Sequence, residues 1–343
     1  MLCSSRNIIT LCFGFVNAVW SLSGAGISGM CYGSMCYNGA GGYGTMNYTA
    51  KVDKEQKIKL SDYTPDDKGD EDKDTSAVVL AKLGQELIGL QEWLYAAQTH
   101  SVLIVLQGLD TSGKDGTIAH VMASMNPQGC DVASFKVPTP LEAAHDFLWR
   151  IHQQTPAKGM VTIFNRSHYE DVLVTRVHKT VTDDVIKKRY THIKNFEQEL
   201  ADNNTIILKF FLHISKDEQK ARLEAREQDE EKAWKLSLGD WEERQFWDAY
   251  TGAYEDTIGA TAAKAAPWHI VPADRKWFRN LAVATMLVET LRPYKKEWEE
   301  TLKKLGAERK AELAEMRRTE GASGKDAKRK SGGQNPGVTH ETS

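Results

Sequence analysis

One stretch decides the fold: Val102-Leu-Ile-Val-Leu-Gln-Gly-Leu-Asp-Thr-Ser-Gly-Lys-Asp-Gly116. Its run of branched apolar residues, 102–106, is typical of a buried strand, and the apolar residues after Gly116 recur at the spacing of a helix. A glycine-rich loop separates the two. The stretch therefore predicts a strand, a tight loop and a helix in succession.

The loop has the Gly-x4-Gly-Lys spacing of a phosphate-binding P-loop. Glycines let the backbone curl so that N–H groups converge on phosphate oxygens, and the start of the following helix adds positive potential. Lys114 supplies a mobile positive charge. The other phosphate-binding residues predicted here are Gly108, Ser112, Gly113, Asp115 and Gly116. The alternative is a glycine-rich turn that only joins a strand to a helix.

The metal-binding position of the common motif is altered in this loop. Asp115 stands where a Ser or Thr that binds magnesium is usual. Carboxylate oxygens are also magnesium ligands, and Asp110 lies inside the loop. We therefore predict that Asp110 binds the metal.

Composition limits the classes of function. The chain has 343 residues, of which 41% are hydrophobic, enough for one large domain or two smaller ones with a real core. Its net charge of −3 gives no global basic field, so we predict no nucleic-acid partner, although local cation clusters can still bind a polyanion. Beyond residue 50 the only cysteine is Cys130, which is typical of a reduced, cytoplasmic protein without disulfides.

Residues 1–50 contain no Asp, Glu or Lys and differ from everything that follows. An apolar run at 8–20 followed by small residues allows a secretory signal, but it is short for a membrane span, and we predict no membrane association. We prefer a leader or disordered extension, with Met46 as an alternative start. Residues 51–76 are rich in Lys, Asp and Glu and predict a solvated, charged connector.

The region 77–298 alternates between strand and helix patterns and is predicted to be the catalytic domain. Leucines at helical spacing from Leu80 to Leu94 predict a helix before the P-loop strand. Further strands are predicted at 132–137, 160–164, 206–212 and 268–271, and helices at 141–152, 183–201, 217–226 and 277–291. This alternation predicts an α/β fold with a mostly parallel sheet covered on both faces. From Tyr294 the sequence predicts a charged helix, and from Gly321 a disordered tail. The segment 299–343, after the catalytic domain, consists of this helix and tail.

A second strand end carries polar residues. The strand predicted at 160–164 is followed at once by Asn165-Arg-Ser-His-Tyr-Glu-Asp171. Because ligands of open parallel sheets bind outside the carboxyl ends of the strands, we predict that these side chains lie next to the P-loop. The planar fork of Arg166 can hold two phosphate oxygens and stabilise charge on a transferring phosphoryl group. The alternative is an arginine that only pairs with a neighbouring carboxylate.

Residues 216–247 combine dense charge with aromatic residues and predict a lid. Arg222 and Arg226 share one face of a helix, with Lys220 nearby, and such a face could close over a polyanion. Glu224 and Glu227 allow the alternative of a salt-bridged helix that faces solvent.

Assembled, these stretches resemble the polyphosphate kinase 2 family, P-loop enzymes that pass phosphate between inorganic polyphosphate and nucleotides. The similarity spans about residues 57–298. It rests on the motifs Gly-Leu-Asp-Thr-Ser-Gly-Lys-Asp-Gly at 108–116, Asn-Pro-Gln-Gly at 126–129, Ser-Phe-Lys-Val-Pro-Thr at 134–139, Phe-Asn-Arg-Ser-His-Tyr-Glu-Asp-Val-Leu-Val at 164–174, Phe-Phe-Leu-His-Ile-Ser-Lys at 210–216, Trp-Lys-Leu-Ser-Leu-Gly-Asp at 234–240 and Pro-Trp-His-Ile-Val-Pro-Ala-Asp-Arg-Lys-Trp at 267–277. The resemblance implies a P-loop kinase fold like that of thymidylate kinase, with a helical lid over a basic channel for polyphosphate.

The resemblance also implies roles for single residues. Asp110, Lys114, Arg166 and Arg226 would be catalytic, and Asp110 and Asp240 would bind Mg²⁺. Beyond the P-loop, the substrate-binding residues implied are Lys136, Asn165, Lys220, Arg222 and Lys235. The subgroup implied acts on AMP and ADP, and the family implies a homodimer or homotetramer.

We therefore predict magnesium-dependent transfer of a phosphoryl group from inorganic polyphosphate to AMP, giving ADP, with ADP as a second acceptor. Two alternatives stay open. One is a nucleotide or nucleoside kinase that uses ATP on the same scaffold. The other is a P-loop module that binds polyphosphate without turnover.

Overall fold

The computed structural model describes residues 48–229 and 238–318 with their side chains, and the backbone alone of residues 18–23, 26–32, 35–38, 42–43 and 319–331. The backbone-only strands near the start form an antiparallel sheet in chain order: β1 Ala18–Ser23, β2 Gly26–Tyr32, β3 Met35–Asn38 and β4 Gly42–Tyr43. Residues 1–17 of the predicted leader lie outside the described residues.

A six-stranded sheet forms the centre of the main unit, which spans residues up to Pro293. Its strands are β5 Ala50–Val52, β6 Ser101–Gln107, β7 Cys130–Ser134, β8 Val161–Asn165, β9 Thr205–His213 and β10 Trp268–Pro272. Their order is β5-β10-β9-β6-β8-β7, and every pair is parallel except β5 with β10. The predicted α/β fold with a mostly parallel sheet is confirmed.

Helices follow the strands as the alternating pattern predicts. Those of the main unit are α1 Lys73–Ala97, α2 Lys114–Met122, α3 Pro140–Ala143, α4 Trp149–His152, α5 Glu170–Val177, α6 Asp183–Asp202, α7 Lys216–Gln228, α8 Leu238–Arg244, α9 Trp247–Thr261 and α10 Lys276–Leu291. One group, α5, α6 and α9, packs together on the sheet face that carries Leu103 and Val105. A second group, α1, α2 and α10, packs together, and α10 also contacts β9 and β10. All of β6 is buried, as expected for a strand with both faces covered.

Two stretches differ from the sequence prediction. Residues 51–76, expected as a solvated connector, contain the end of β5 and a 3₁₀ turn at Leu60–Asp62, and they bury Val52, Ile58 and Leu60. The many charges in this stretch hide the few apolar residues that pack into the core. The helix predicted at 141–152 is instead two short ones, because the Asp146 side chain accepts a hydrogen bond from the Leu148 N–H (3.0 Å), a local turn that competes with a continuous helix.

A second compact unit begins at Tyr294. It contains α11, Lys295–Ser331, so the predicted charged helix is present and continues past Gly321, where the tail was predicted to begin. Residues 332–343 lie outside the described residues. Among the described helices, none has the length and hydrophobicity that a membrane crossing requires.

Candidate active site

The P-loop lies where the order of the sheet reverses. Strand β6 has β8 on one side and β9 on the other. The chain passes from β6 to β7 and β8 on one side, and later to β9 and β10 on the other, so a crevice opens at the carboxyl end of β6. Gly108 and Gly113 take φ values of +150° and +103°. A Cβ on Gly113 would come within 1.7 Å of Arg279 Nη1, so a larger residue would have to displace this guanidinium, and the φ of +103° favours glycine in any case. Gly113 also precedes α2 without a side-chain cap.

Replacing Gly113 by alanine should destabilise the fold by about 2–3 kcal/mol, because the backbone strain and the overlap with Arg279 add together. Urea unfolding measures the loss. Gly89→Ala is the matched control, since a Cβ at Gly89 meets nothing within 4 Å in the interior of α1, and it should stabilise by about 0.5–1 kcal/mol. Equal stability of Gly113→Ala and the native protein would show that the loop does not hold this geometry.

Lys114 is buried at the start of α2. Its Nζ donates hydrogen bonds to the carbonyl oxygens of Gly108 (2.6 Å) and Leu109 (3.2 Å). Burial lowers its pKa, and the nearby negative charge of Asp110 opposes that change. Beside it, Thr111 Oγ1 is buried and has no hydrogen-bond partner within the described residues. This hydroxyl is free to donate to a phosphate oxygen.

Arg166 reaches from the end of β8 to the P-loop. Its backbone N–H donates to the Leu106 carbonyl (3.1 Å) at a φ of +62°, which turns the chain sharply at the strand end. Its Nη2 donates to Asp110 Oδ1 (2.8 Å), and its Nη1 lies 3.5 Å from Glu170 Oε2. Burial opposes the charge of Arg166, but Glu170 and Asp110 outweigh it and raise the pKa. The charged guanidinium is therefore held between two turns, the P-loop and the turn that follows β8.

Two cavities meet at Asp110 and Arg166. The first, here called the cationic cavity, has a volume of about 720 Å³. It is lined by Asp110, Thr111, Gly113, Lys114, Asp115, Gly116, Asn165, Arg166, Arg222, Ala225, Arg226, Asp229, Asp240, Lys276 and Arg279. The second, here called the aromatic cavity, is narrow, about 40 Å³. It is lined by Gly108, Leu109, Asp110, Arg166, Glu170, Val174, Gln219, Glu243, Arg244, Trp247, Tyr250 and Tyr254.

Helices α7 and α8 line one side of the cationic cavity. Arg226 of α7 and Asp240 of α8 form an ion pair of 3.2 Å. Burial, and then the negative charge of Asp110, raises the pKa of Asp240. Arg222 has a different role, because its guanidinium donates to backbone carbonyls of the P-loop and of Ala273 and Asp274. It fastens α7 to the loop that precedes α10.

Most of the predicted site residues come together at this crevice. The Asn165 amide donates to Asp115 Oδ1 (3.0 Å), so the side chains of the two turns touch directly. Lys220 is different: it pairs with Glu224 (3.5 Å) on the exposed side of α7 and lines neither cavity. Lys136 is exposed and also lines neither cavity. Lys235 lies outside the described residues.

Sequence reasoning missed several residues that line these cavities. Lys276 and Arg279, on the first turns of α10, line the cationic cavity. Burial, and then the charge of Arg222, lowers the pKa of Arg279 to about 10, and within the described residues it forms no ion pair with a carboxylate. The rule that ligands bind beyond strand ends would have found both, because they follow β10 closely. Tyr250, in the aromatic cavity, carried no comparable signal. Glu170 also lines this cavity, and it belongs to the polar stretch after β8 that the strand-end rule places next to the P-loop.

A parallel sheet with a glycine loop at its switch point, and an arginine at the end of the neighbouring strand, defines a P-loop kinase. The model of the family "Polyphosphate kinase 2 (PPK2)" matches residues 70–299. The chain belongs to the polyphosphate kinase 2 family.

Individual relatives agree with this membership. The chain is 51% identical to an AMP/ADP-polyphosphate phosphotransferase of Meiothermus ruber over 243 residues, 70% of this chain and 91% of the relative. It is 41% identical to an ADP-polyphosphate phosphotransferase of Rhodopseudomonas palustris over 280 residues, 78% of this chain and 96% of the relative. The crystal structure of polyphosphate kinase 2 from Arthrobacter aurescens TC1 superposes with a TM-score of 0.68 at 42% identity, covering 69% of this chain and 86% of that one.

Proposed function

We propose that this protein transfers the terminal phosphoryl group of inorganic polyphosphate to AMP and to ADP. The observation that carries the proposal is the meeting of two chemically different cavities at Asp110 and Arg166. A donor in one cavity and an acceptor in the other would share a single phosphate position there. In-line transfer then needs positioning and charge neutralisation more than a strong base.

The cationic cavity suits the polymer. Lys114, Arg166, Arg226, Lys276 and Arg279 line it, and no carboxylate of the described residues forms an ion pair with Arg279. The first turn of α10 contains no acidic residue and has no side-chain cap, so its positive end adds to these charges. A polyanion would neutralise cations that the fold otherwise holds close together at a cost. We therefore assign polymer binding to Lys276 and Arg279 rather than to Lys220.

The aromatic cavity suits the acceptor. Arg166 and Glu170 line it together with the aromatic side chains of Trp247, Tyr250 and Tyr254. It shares Leu109, Trp247 and Tyr254 with a further hollow of about 380 Å³, which Tyr63, Phe211 and His213 also line. Aromatic faces bind nucleobases of any kind by stacking. An oxygen of the acceptor phosphate would attack the terminal phosphorus, and the bond to the next phosphate of the polymer would break, with no covalent enzyme intermediate.

The residues present fit a magnesium ion. Asp110 and Asp240 both line the cationic cavity. Burial, and then repulsion by Asp110, raises the pKa of Asp240, and a divalent cation would relieve that repulsion. Magnesium in phosphoryl-transfer sites is typically held by one or two carboxylates together with phosphate oxygens. We propose that these two aspartates hold it, where it would neutralise charge on the phosphate oxygens.

The loss of activity at low pH should follow the protonation of Asp240. Because its pKa lies above the usual value, this carboxyl becomes protonated at a higher pH than an exposed aspartate as the pH falls. The protonated form cannot hold magnesium, so activity should fall there. Asp240→Asn should remove this limb and raise the magnesium concentration for half-maximal activity about 10- to 100-fold. Exposed Asp131→Asn is the control; the same magnesium dependence in both variants would contradict the assignment.

Donor-resolved turnover tests the function. The purified protein is incubated with AMP and magnesium, and either polyphosphate or ATP is added as the only donor. ADP should form with polyphosphate. Product from ATP alone would instead support the ATP-dependent kinase, and tight polyphosphate binding without product would support a binding module.

Assembly and compartment complete the proposal. We propose a homodimer or homotetramer, as the family resemblance implies, and a cytoplasmic location, which the single cysteine beyond residue 50 supports. Light scattering after size-exclusion chromatography tests the assembly.

A further inference from the structure

A buried ion pair lies behind the active site. Lys209, in the middle of β9, and Glu197, on α6, are almost fully buried, and Lys209 Nζ lies 2.7 Å from Glu197 Oε2. Lys209 also donates to Tyr169 Oη (2.9 Å) and to the Thr261 carbonyl (3.0 Å). All the donors of this ammonium group are therefore used. One lysine joins β9, α6, the end of α9 and the turn that carries Arg166.

The connection to Arg166 runs through Tyr169 and His168. Tyr169 Oη donates to Glu197 Oε1 (2.7 Å), and His168 Nε2 lies 3.3 Å from the same oxygen. Both rings are fully buried. Between them and Arg166, Ser167 Oγ accepts hydrogen bonds from the Tyr169 N–H (3.2 Å) and from Gln107 Nε2 (3.0 Å). The turn with the left-handed Arg166 backbone is thus fixed on both sides.

Stability alone does not account for this cluster. Taking two charges out of water carries a large cost, and well-packed apolar residues of similar volume often do as well or better. A polar cluster whose hydrogen bonds are made instead defines one arrangement of the elements that it joins. The polar groups of Lys209, Glu197 and Tyr169 are paired in this way, whereas Nδ1 of His168 has no hydrogen-bond partner within the described residues. Here those elements include α9, which carries Tyr250 and Tyr254 of the aromatic cavity.

We propose that Lys209, Glu197 and Tyr169 are positioning residues that hold Arg166 at the shared phosphate position. The proposal rests on the proposed function of Arg166. Removing the Tyr169 hydroxyl leaves its ring in place but removes its two hydrogen bonds to the ion pair, so that only the contact of His168 with Glu197 still joins the turn to the pair. Small displacements of a group that contacts the reacting atoms reduce turnover strongly.

A double-mutant cycle tests the coupling. Tyr169→Phe should lower kcat about 10- to 100-fold with little change in the KM for polyphosphate. In an Arg166→Ala background, the same substitution should cause no further loss, because it acts only through Arg166. Tyr190→Phe is the matched control: it also removes a hydroxyl with a buried hydrogen bond, to Thr257, but outside the cluster, and it should leave kcat unchanged. An equal loss in both backgrounds, or no loss, would overturn the proposal.

A spectroscopic readout separates this proposal from the proposed function. The Arg166 Nε–H signal in ¹⁵N NMR is assigned by its absence in Arg166→Ala. It should shift in Tyr169→Phe but not in Tyr190→Phe, and this result does not depend on which phosphoryl donor the enzyme uses. A signal that stays in place would show that the cluster is only structural. Should Tyr169→Phe fold poorly, Lys209→Met with Glu197→Leu replaces the ion pair by apolar side chains and should move the same signal. Wild-type turnover with polyphosphate remains the separate test of the function.

Discussion

Arg166→Ala should lower kcat for phosphoryl transfer by about 10³-fold, since arginines that neutralise a transferring phosphoryl group contribute this much or more. Arg166 lines both cavities, and its guanidinium contacts Asp110 at 2.8 Å. The folded protein should tolerate the change. The Arg166 side chain is 41% exposed, and ion pairs of such groups contribute at most about 1 kcal/mol to stability.

Steady-state kinetics with polyphosphate and AMP measure this effect, and thermal unfolding verifies the fold. Arg166→Lys should recover only part of the rate, because an ammonium cannot make the two parallel hydrogen bonds of a guanidinium. Arg176→Ala is the control on the following helix, where Arg176 pairs with Asp256 away from both cavities. A loss of less than 10-fold in Arg166→Ala, with Arg176→Ala unchanged, would remove Arg166 from the transfer step.

Lys114→Met should reduce kcat/KM for polyphosphate by more than about 10³-fold, comparable to the loss of a main electrostatic contact to a transferring phosphoryl group. The substitution keeps most of the buried volume and removes the charge together with the hydrogen bonds to the Gly108 and Leu109 carbonyls. Because burial already disfavours the charged amine, the variant should unfold at nearly the same urea concentration as the native protein. A catalytic loss without a stability loss identifies an electrostatic role.

Lys82→Met is the comparison for Lys114→Met, since Lys82 is an exposed lysine of α1 outside both cavities. It should leave kcat/KM unchanged. Turnover of Lys114→Met at the native rate would mean that the P-loop does not hold the reacting phosphate.

The meeting of the two turns could be predicted from the sequence. The apolar runs before Gly108 and Asn165 predict parallel strands, and the ends of adjacent parallel strands share an edge. The structure places Leu106 opposite Asn165 in adjacent strands, which brings Arg166 to the P-loop. This part of the site follows from local patterns and one topological rule.

Other features depend on long-range packing that local patterns do not encode. Helical periodicity places Lys220 near Arg222 but does not tell which of the two faces the sheet; the docking of α7 turns Arg222 inward and leaves Lys220 paired with Glu224. Similarly, Lys209 interrupts an apolar strand, yet nothing nearby in sequence identifies Glu197 as its partner. Arg279 is buried only because α10 packs against the P-loop.

The central claim is that donor and acceptor phosphates meet between two cavities at Arg166. A crystal structure with AMP and a non-hydrolysable imido analogue of tripolyphosphate tests it most directly. The account predicts the analogue in the cationic cavity along Lys114, Lys276 and Arg279, and the AMP phosphate on the Tyr250 side of Arg166. Both ligands in one cavity, or a terminal phosphate remote from Arg166, would contradict it.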